Sequence, residues 1–151
     1  MSDLTPSQTI GPFFHGGADW LIHNSALPKG WVNVRGKVLD LDAKPVSDAL
    51  LEFSLPAAHA APDGPRYQRV FTSDEGAFGF VMPSAHPIHV CIFARGLLRQ
   101  VFTRVYLSAQ DVPAEVPGAR RDTLVAKASD GEYRWNVRLR GDDETVFFEL
   151  R

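Results

Sequence analysis

Tyr133-Arg-Trp-Asn-Val-Arg-Leu-Arg140 is the stretch that decides the fold class. Its apolar residues, Tyr133, Trp135, Val137 and Leu139, alternate with Arg134, Asn136, Arg138 and Arg140. A period of two puts one set on each side of an extended chain, whereas a helix brings together residues three and four apart. The alternation predicts a strand over residues 133–140 with one buried face. Residues 31–40 follow the same trend through Val32, Val34 and Val38. Asp42-Ala-Lys-Pro45 reads as a turn leading to a strand over residues 47–54. Ser73-Asp-Glu-Gly76 has hairpin chemistry and joins strand-like segments at 69–72 and 77–82. Residues 88–94 are apolar enough for a central strand, and 99–107, 123–128 and 145–150 complete the set.

Many short strands with frequent turns predict an all-β, antiparallel β-sandwich. At most one short helix is expected, at residues 108–114 with Ser108 as its N-cap. Residues 1–30, rich in proline, glycine and aromatics, read as an irregular N-terminal arm, and residues 31–151 as the sandwich. Residues 57–65 (AAHAAPDGP) read as a flexible connection.

The 151 residues suit one domain able to bury its own core. No apolar run approaches the roughly 18–20 residues of a membrane span. MSDLTPSQTIGPFF has no basic stretch followed by an apolar one, so no secretory leader is expected. Cys91 is the single cysteine, so no intrachain disulfide can form, which suits a cytoplasmic protein. A net charge of −2, with both signs interspersed, offers no electrostatic basis for binding nucleic acid.

Four features bear on chemistry. His86-Pro-Ile-His89 invites a metal reading, but a spacing of three puts strand side chains on opposite faces. A solvent-exposed His86 and a packed or hydrogen-bonded His89 is the plainer expectation. Asp142, Asp143 and Glu144 form a solvated turn between strands. Arg95 ends an apolar strand in Phe93-Ala-Arg-Gly96, where a guanidinium can grip a carboxylate with two parallel hydrogen bonds or simply cover the sheet edge. Thr5-Pro-Ser-Gln-Thr-Ile-Gly-Pro-Phe-Phe14 has a backbone restricted by two prolines and is too short to bury its own aromatics. Phe13 and Phe14 must tuck against the sandwich or dock at an interface. No P-loop, GxGxxG, GxSxG or CxxC signature is present.

The Thr5–Phe14 sequence, Phe93-Ala-Arg-Gly96 with Thr103-Arg-Val-Tyr106, Arg121-Asp-Thr-Leu-Val-Ala-Lys127, Tyr133-Arg-Trp and Gly141-Asp-Asp-Glu-Thr-Val-Phe-Phe148 follow one another in the order of a known pattern. Together they resemble the intradiol ring-cleavage dioxygenases nearly end to end, and most closely the iron-free α chains of the two-chain members that cleave protocatechuate. The resemblance implies a heteromer of αβ units with one sandwich fold. The β subunit would hold non-haem Fe(III) through two tyrosinates and two histidines, hard ligands that suit a hard cation. The substrates would be protocatechuate and O2. The β-type His-x-His pair falls on Pro87 and His89, and Tyr67 is the tyrosine nearest either tyrosine-bearing segment, so the resemblance implies that this chain binds no metal and holds no catalytic residue. Ser54 stands where a tryptophan is common. Thr9, Gly11, Pro12, Phe13 and Arg95 match residues that line the substrate cleft, Thr9 and Pro12 as wall and Arg95 as a charge. A non-catalytic sandwich module derived from this family is the alternative reading.

Overall fold

The computed structural model describes residues 29–56 and 67–149. Nine strands are described: β1 (Trp31–Leu39), β2 (Leu50–Ser54), β3 (Tyr67–Phe71), β4 (Ala77–Pro83), β5 (Ile88–Phe93), β6 (Val101–Val105), β7 (Lys127–Ser129), β8 (Glu132–Arg134) and β9 (Val137–Arg138). They form two sheets. One has the order β4-β1-β8-β7, with β9 also paired to β1; the other runs β3-β2-β5-β6. The sandwich expectation holds.

Alternation builds the core. Val34 and Val38 from β1, Phe78, Phe80 and Met82 from β4, and Trp135 and Val137 face Leu51 and Phe53 from β2 and Ile88, Val90 and Ile92 from β5. Phe53 stacks on Phe80 with ring centroids 3.8 Å apart, and Phe78 meets Trp135 edge-on at 6.2 Å. A second, smaller cluster of Tyr106, Val112, Val116 and Leu124 closes one side.

The eight-residue alternation survives in burial but not as one strand. Trp135, Val137 and Leu139 are buried as expected, yet the chain breaks into β8 and β9 at Trp135-Asn136. Both pieces run parallel to β1. At the break Trp135 N donates to Arg35 O at 2.9 Å, and Lys37 N donates to the side-chain Oδ1 of Asn136 at 2.9 Å. A side-chain oxygen thus replaces a backbone acceptor in the ladder. Gly36 lies opposite, where an added Cβ would stand 1.6 Å from the carbonyl oxygen of Trp135. Only glycine permits this approach.

The 73–76 turn does not make a hairpin. It reverses the chain tightly, with Gly76 N donating to Ser73 O at 2.8 Å, but β3 pairs with β2 and β4 with β1, in different sheets. Gly76, at φ +70, passes its carbonyl to Val38 N at 2.9 Å, which delivers the chain to β1's sheet. Gln68 then ties edge strand β3 across the gap, its Oε1 accepting from Val81 N at 3.0 Å. Buried Thr72 locks the start of β2, accepting from Ala49 N at 2.9 Å and donating to Val46 O at 2.8 Å.

Helical structure forms at the expected place and again further along the chain. Residues 109–111 form one 3-10 turn, with Ser108 Oγ accepting from Gln110 N at 3.3 Å as an N-cap. The one α-helix among the described residues, α1, is Gly118–Arg121, followed by a 3-10 turn at Asp122–Leu124 where a strand was expected to begin. Of the strand expected over 145–150, the described residues 145–149 make an isolated bridge, Phe102 to Phe148, in place of a ladder. Among the described residues no helix is long and apolar enough to cross a membrane.

Candidate functional site

β5 crosses the middle of the regular sheet, and its two faces differ. Ile88, Val90 and Ile92 are buried inward, whereas His89, Cys91 and Phe93 project from the outer face. Register fixes their neighbours. Ser54 lies between Tyr67 and His89, and His89 faces Arg104; Glu52 lies between Arg69 and Cys91, and Cys91 faces Phe102. The outer face therefore carries a polar row, Tyr67–Ser54–His89–Arg104, beside a mixed row, Arg69–Glu52–Cys91–Phe102.

Within this face the polar groups are already engaged. Tyr67 Oη donates to Glu52 Oε1 at 2.5 Å, and Arg69 donates to the same oxygen through Nη2 at 2.5 Å and Nε at 3.0 Å. Partial burial and then Glu52 raise the Tyr67 phenol above its usual pKa, which holds it protonated. Arg104 lies over the ring of Phe148, 4.7 Å from its centroid. Partial desolvation by the sheet beneath, then the charge of Arg104, lower the His89 pKa, so the imidazole stays neutral. Burial and the nearby Glu52 carboxylate push the Cys91 thiol up to about 11.

The histidine expectation is reversed. His86 is the half-buried one: its Nδ1 accepts from Leu107 N at 3.3 Å and its Nε2 stands 3.5 Å from Asp111 Oδ2. His89 is the exposed one. His86 precedes β5 and is turned toward the segment after β6, so the strand face never brings the two rings together.

The tyrosines also diverge. Tyr67 is on the outer sheet face, Tyr106 is buried in the smaller core cluster, and Tyr133 packs against the main core. Among the described residues no three of the His, Cys, Asp or Glu side chains gather where they could hold a metal ion. With Pro87 in the place of one histidine, the phenol of Tyr67 bound to Glu52, and Tyr106 and Tyr133 packed away from His89 in separate cores, these residues do not fit a ferric centre of two tyrosinates and two histidines.

Arg95 lies just past the end of β5. The chain turns after β5 through Gly96 at φ +86, with Leu97 N donating to Ala94 O at 3.2 Å. Arg95 is 78% exposed at its side chain, and its Nη2 donates to Asp48 Oδ2 at 2.8 Å. Leu50 pairs with Phe93, so Asp48 and Arg95 extend the same register two residues further on each strand. Phe93 and the fully exposed Leu98 flank the arginine. Arg95 is thus an exposed guanidinium just past the end of β5, paired with Asp48. Thr9, Gly11, Pro12 and Phe13 lie outside the described residues.

Sequence reasoning missed Asp48 and the Tyr67–Glu52–Arg69 cluster. Residues 47 and 48 were expected to begin a strand, whereas β2 starts at Leu50, and the link of Asp48 to Arg95 appears only once β2 and β5 are in register. It also missed an open cleft of about 480 Å3 on the other sheet, lined by Thr123, Lys127, Arg134, Asn136, Arg138 and Asp143 among others. Arg95 is not among the described residues that line it.

No family model matches the chain. It is 35% identical over 191 aligned residues to the protocatechuate 3,4-dioxygenase alpha chain of Burkholderia cepacia, covering 97% of each chain. The alignment is longer than this chain's 151 residues, so the relative carries stretches with no counterpart here. The protocatechuate 3,4-dioxygenase alpha chain of Pseudomonas putida is 30% identical over 193 residues, covering 97% of this chain and 96% of its own. Among solved structures, the dioxygenase domain of a dioxygenase carbohydrate-binding protein fusion from Streptomyces sp. SirexAA-E matches with a TM-score of 0.55 and 22% identity, covering 90% of this chain and 96% of that one. An intradiol ring-cleavage dioxygenase from Tetranychus urticae matches with a TM-score of 0.54 and 14% identity, covering 91% and 94%. These two likenesses establish the sandwich as the intradiol dioxygenase fold. The near-complete sequence matches go further, and on them the chain belongs to the alpha-chain family of protocatechuate 3,4-dioxygenase.

Proposed function

We propose that this chain is the iron-free subunit of a cytoplasmic, two-chain intradiol dioxygenase, and that it walls an active site whose Fe(III) is held by a homologous β subunit. The complex cleaves protocatechuate with O2 between the two hydroxyl-bearing carbons, giving 3-carboxy-cis,cis-muconate. The Fe(III), held by the partner subunit, would supply the activation of the catecholate toward O2. This chain's own part is to bind and orient. The arm, residues 1–30, brings Thr9, Gly11, Pro12 and Phe13 to the cleft, and Arg95 offers a cation to the substrate's carboxylate.

The observation that carries the reading is the 35% identity across 97% of both chains to an α chain named for this activity. Two features of the fold support the division of labour. The His-x-His positions hold Pro87 and the outward-facing His89, while Tyr67 is bound to Glu52 and Tyr106 and Tyr133 pack in separate cores. Arg95 is exposed and leaves N–H donors beyond its single bond to Asp48, as a cation offered to a substrate carboxylate requires.

The test is to purify the chain alone and co-purified with its iron-bearing partner, then follow loss of protocatechuate. Activity is expected from the complex only. Robust ring cleavage by the isolated chain would overturn the assignment.

A further inference from the structure

Arg95 is a long side chain, 78% exposed, and a free arginine in that state samples many rotamers. An arginine that must meet a small carboxylate in one geometry loses binding strength to that freedom. Asp48 restricts it. Its Oδ2 accepts from Arg95 Nη2 at 2.8 Å, across the register that Leu50 and Phe93 set. Asp48 itself sits at φ +60 in the turn before β2, a left-handed conformation that aspartate and asparagine tolerate better than other side chains. Thr72 anchors that turn through Ala49 N and Val46 O. The turn that carries the carboxylate is thus held by Thr72, and the carboxylate in turn accepts from the arginine.

An exposed pair of this kind adds little to folding stability. A guanidinium carries five N–H donors in a planar fork. The bond to Asp48 uses Nη2 alone; in the planar fork one further N–H runs parallel to the bonded one and the rest point in other directions, so donors remain for a second acceptor. The carboxylate therefore sets the direction in which the remaining donors point.

We propose that Asp48 is a positioning residue for substrate: it holds the Arg95 guanidinium so that its remaining N–H groups face the carboxylate of a catecholic acid. This rests on the reading of Arg95 given above. The competing effect is opposite in sign, because a nearby anion also repels a substrate carboxylate. Which one wins is visible in the direction of a KM change.

The experiment uses the complex of this chain with its iron-bearing partner. Asp48→Asn removes the charge and keeps the left-handed turn; Asp48→Gly removes the side chain and keeps the turn as well. KM and kcat for protocatechuate are measured together with the inhibition constant of catechol, which has the same hydroxylated ring without the carboxylate. Both variants are expected to raise the protocatechuate KM by about two- to tenfold, the range that freezing one flexible side chain represents. The kcat and the catechol inhibition constant should stay unchanged; a general structural disturbance would move both. Arg95→Ala separates the layers. If it leaves the protocatechuate KM unchanged, the role of Arg95 fails and the role of Asp48 with it. If Arg95→Ala raises KM but the Asp48 variants leave it unchanged or lower it, Arg95 stands and the Asp48 proposal is overturned.

Discussion

The two sheets are built by different rules. The sheet of β1, β4, β7, β8 and β9 is irregular: it mixes parallel and antiparallel pairs, breaks at Trp135-Asn136 and depends on a backbone approach that only Gly36 allows. The sheet of β2, β3, β5 and β6 is regular and antiparallel throughout, with an inward face of aliphatic and aromatic side chains and an outward face of His89, Cys91, Phe93 and the Glu52 cluster. Sensitivity to a small substitution should therefore sit in the backbone of the first sheet and in one face only of the second. The regular sheet can present groups outward because its stability comes from the other side.

The largest effect is expected at Gly36. Its substitution by alanine drives a Cβ into a carbonyl at 1.6 Å, so the β1–β8 junction must separate. A loss of about 4 kcal/mol or more in denaturant-unfolding free energy is predicted, in the exceptional class of single changes. A near-neutral Gly36→Ala would remove the claim that this crossing pins the first sheet. Next comes Ile92, fully buried on the inward side of β5, where truncation to alanine should cost about 2–5 kcal/mol. Its chain neighbour Cys91 faces outward, and Cys91→Ala should stay within about 0.5 kcal/mol in the isolated chain. Equal costs at the two positions would break the distinction between the faces.

Asn136→Ala removes the acceptor for Lys37 N. Both residues are exposed, so water can replace the bond, and a loss of about 0.5–1.5 kcal/mol is expected by thermal or chemical melting. The smallest effect concerns pH. Burial, then Glu52, raise the Cys91 thiol to about 11, so its contribution to stability is fully present below the ordinary thiol range and is lost as pH rises through that range toward 11. Alkylation of Cys91 by iodoacetamide should be slow at pH 8 and reach half its limiting rate near pH 11. A midpoint near 8.5, the usual thiol value, would mean that the outer face is more open to water than this arrangement implies.

The strands were legible in the sequence because alternation is a direct consequence of extended geometry, and burial at Trp135, Val137 and Leu139 followed it. Sheet membership was not. Ser73-Asp-Glu-Gly76 encodes a tight reversal, but turn chemistry does not say whether the two strands it joins will pair, and here Gly76 and Gln68 carry the chain into the other sheet. The break at Asn136 was hidden because alternation continues through it. The short helix at Gly118–Arg121 gave no amphipathic period to read, being only one turn long. At the site, Arg95 stood out by its place at the end of an apolar strand. Asp48 did not, since 47 residues separate the pair and only the β2–β5 register joins them. His86 and His89 were assigned to the wrong environments because spacing tells which face a strand residue takes, and His86 lies before the strand.

The central claim is that this chain shapes a site and leaves the iron to its partner. Metal analysis tests it most directly: iron is counted per chain in the isolated protein, after exposure to excess Fe(III) and desalting, and in the complex with its partner. The account predicts no stoichiometric iron on the isolated chain, iron in the complex equal to the number of partner chains, and protocatechuate consumption that follows that iron. One iron retained per isolated chain, with ring-cleaving activity, would contradict it.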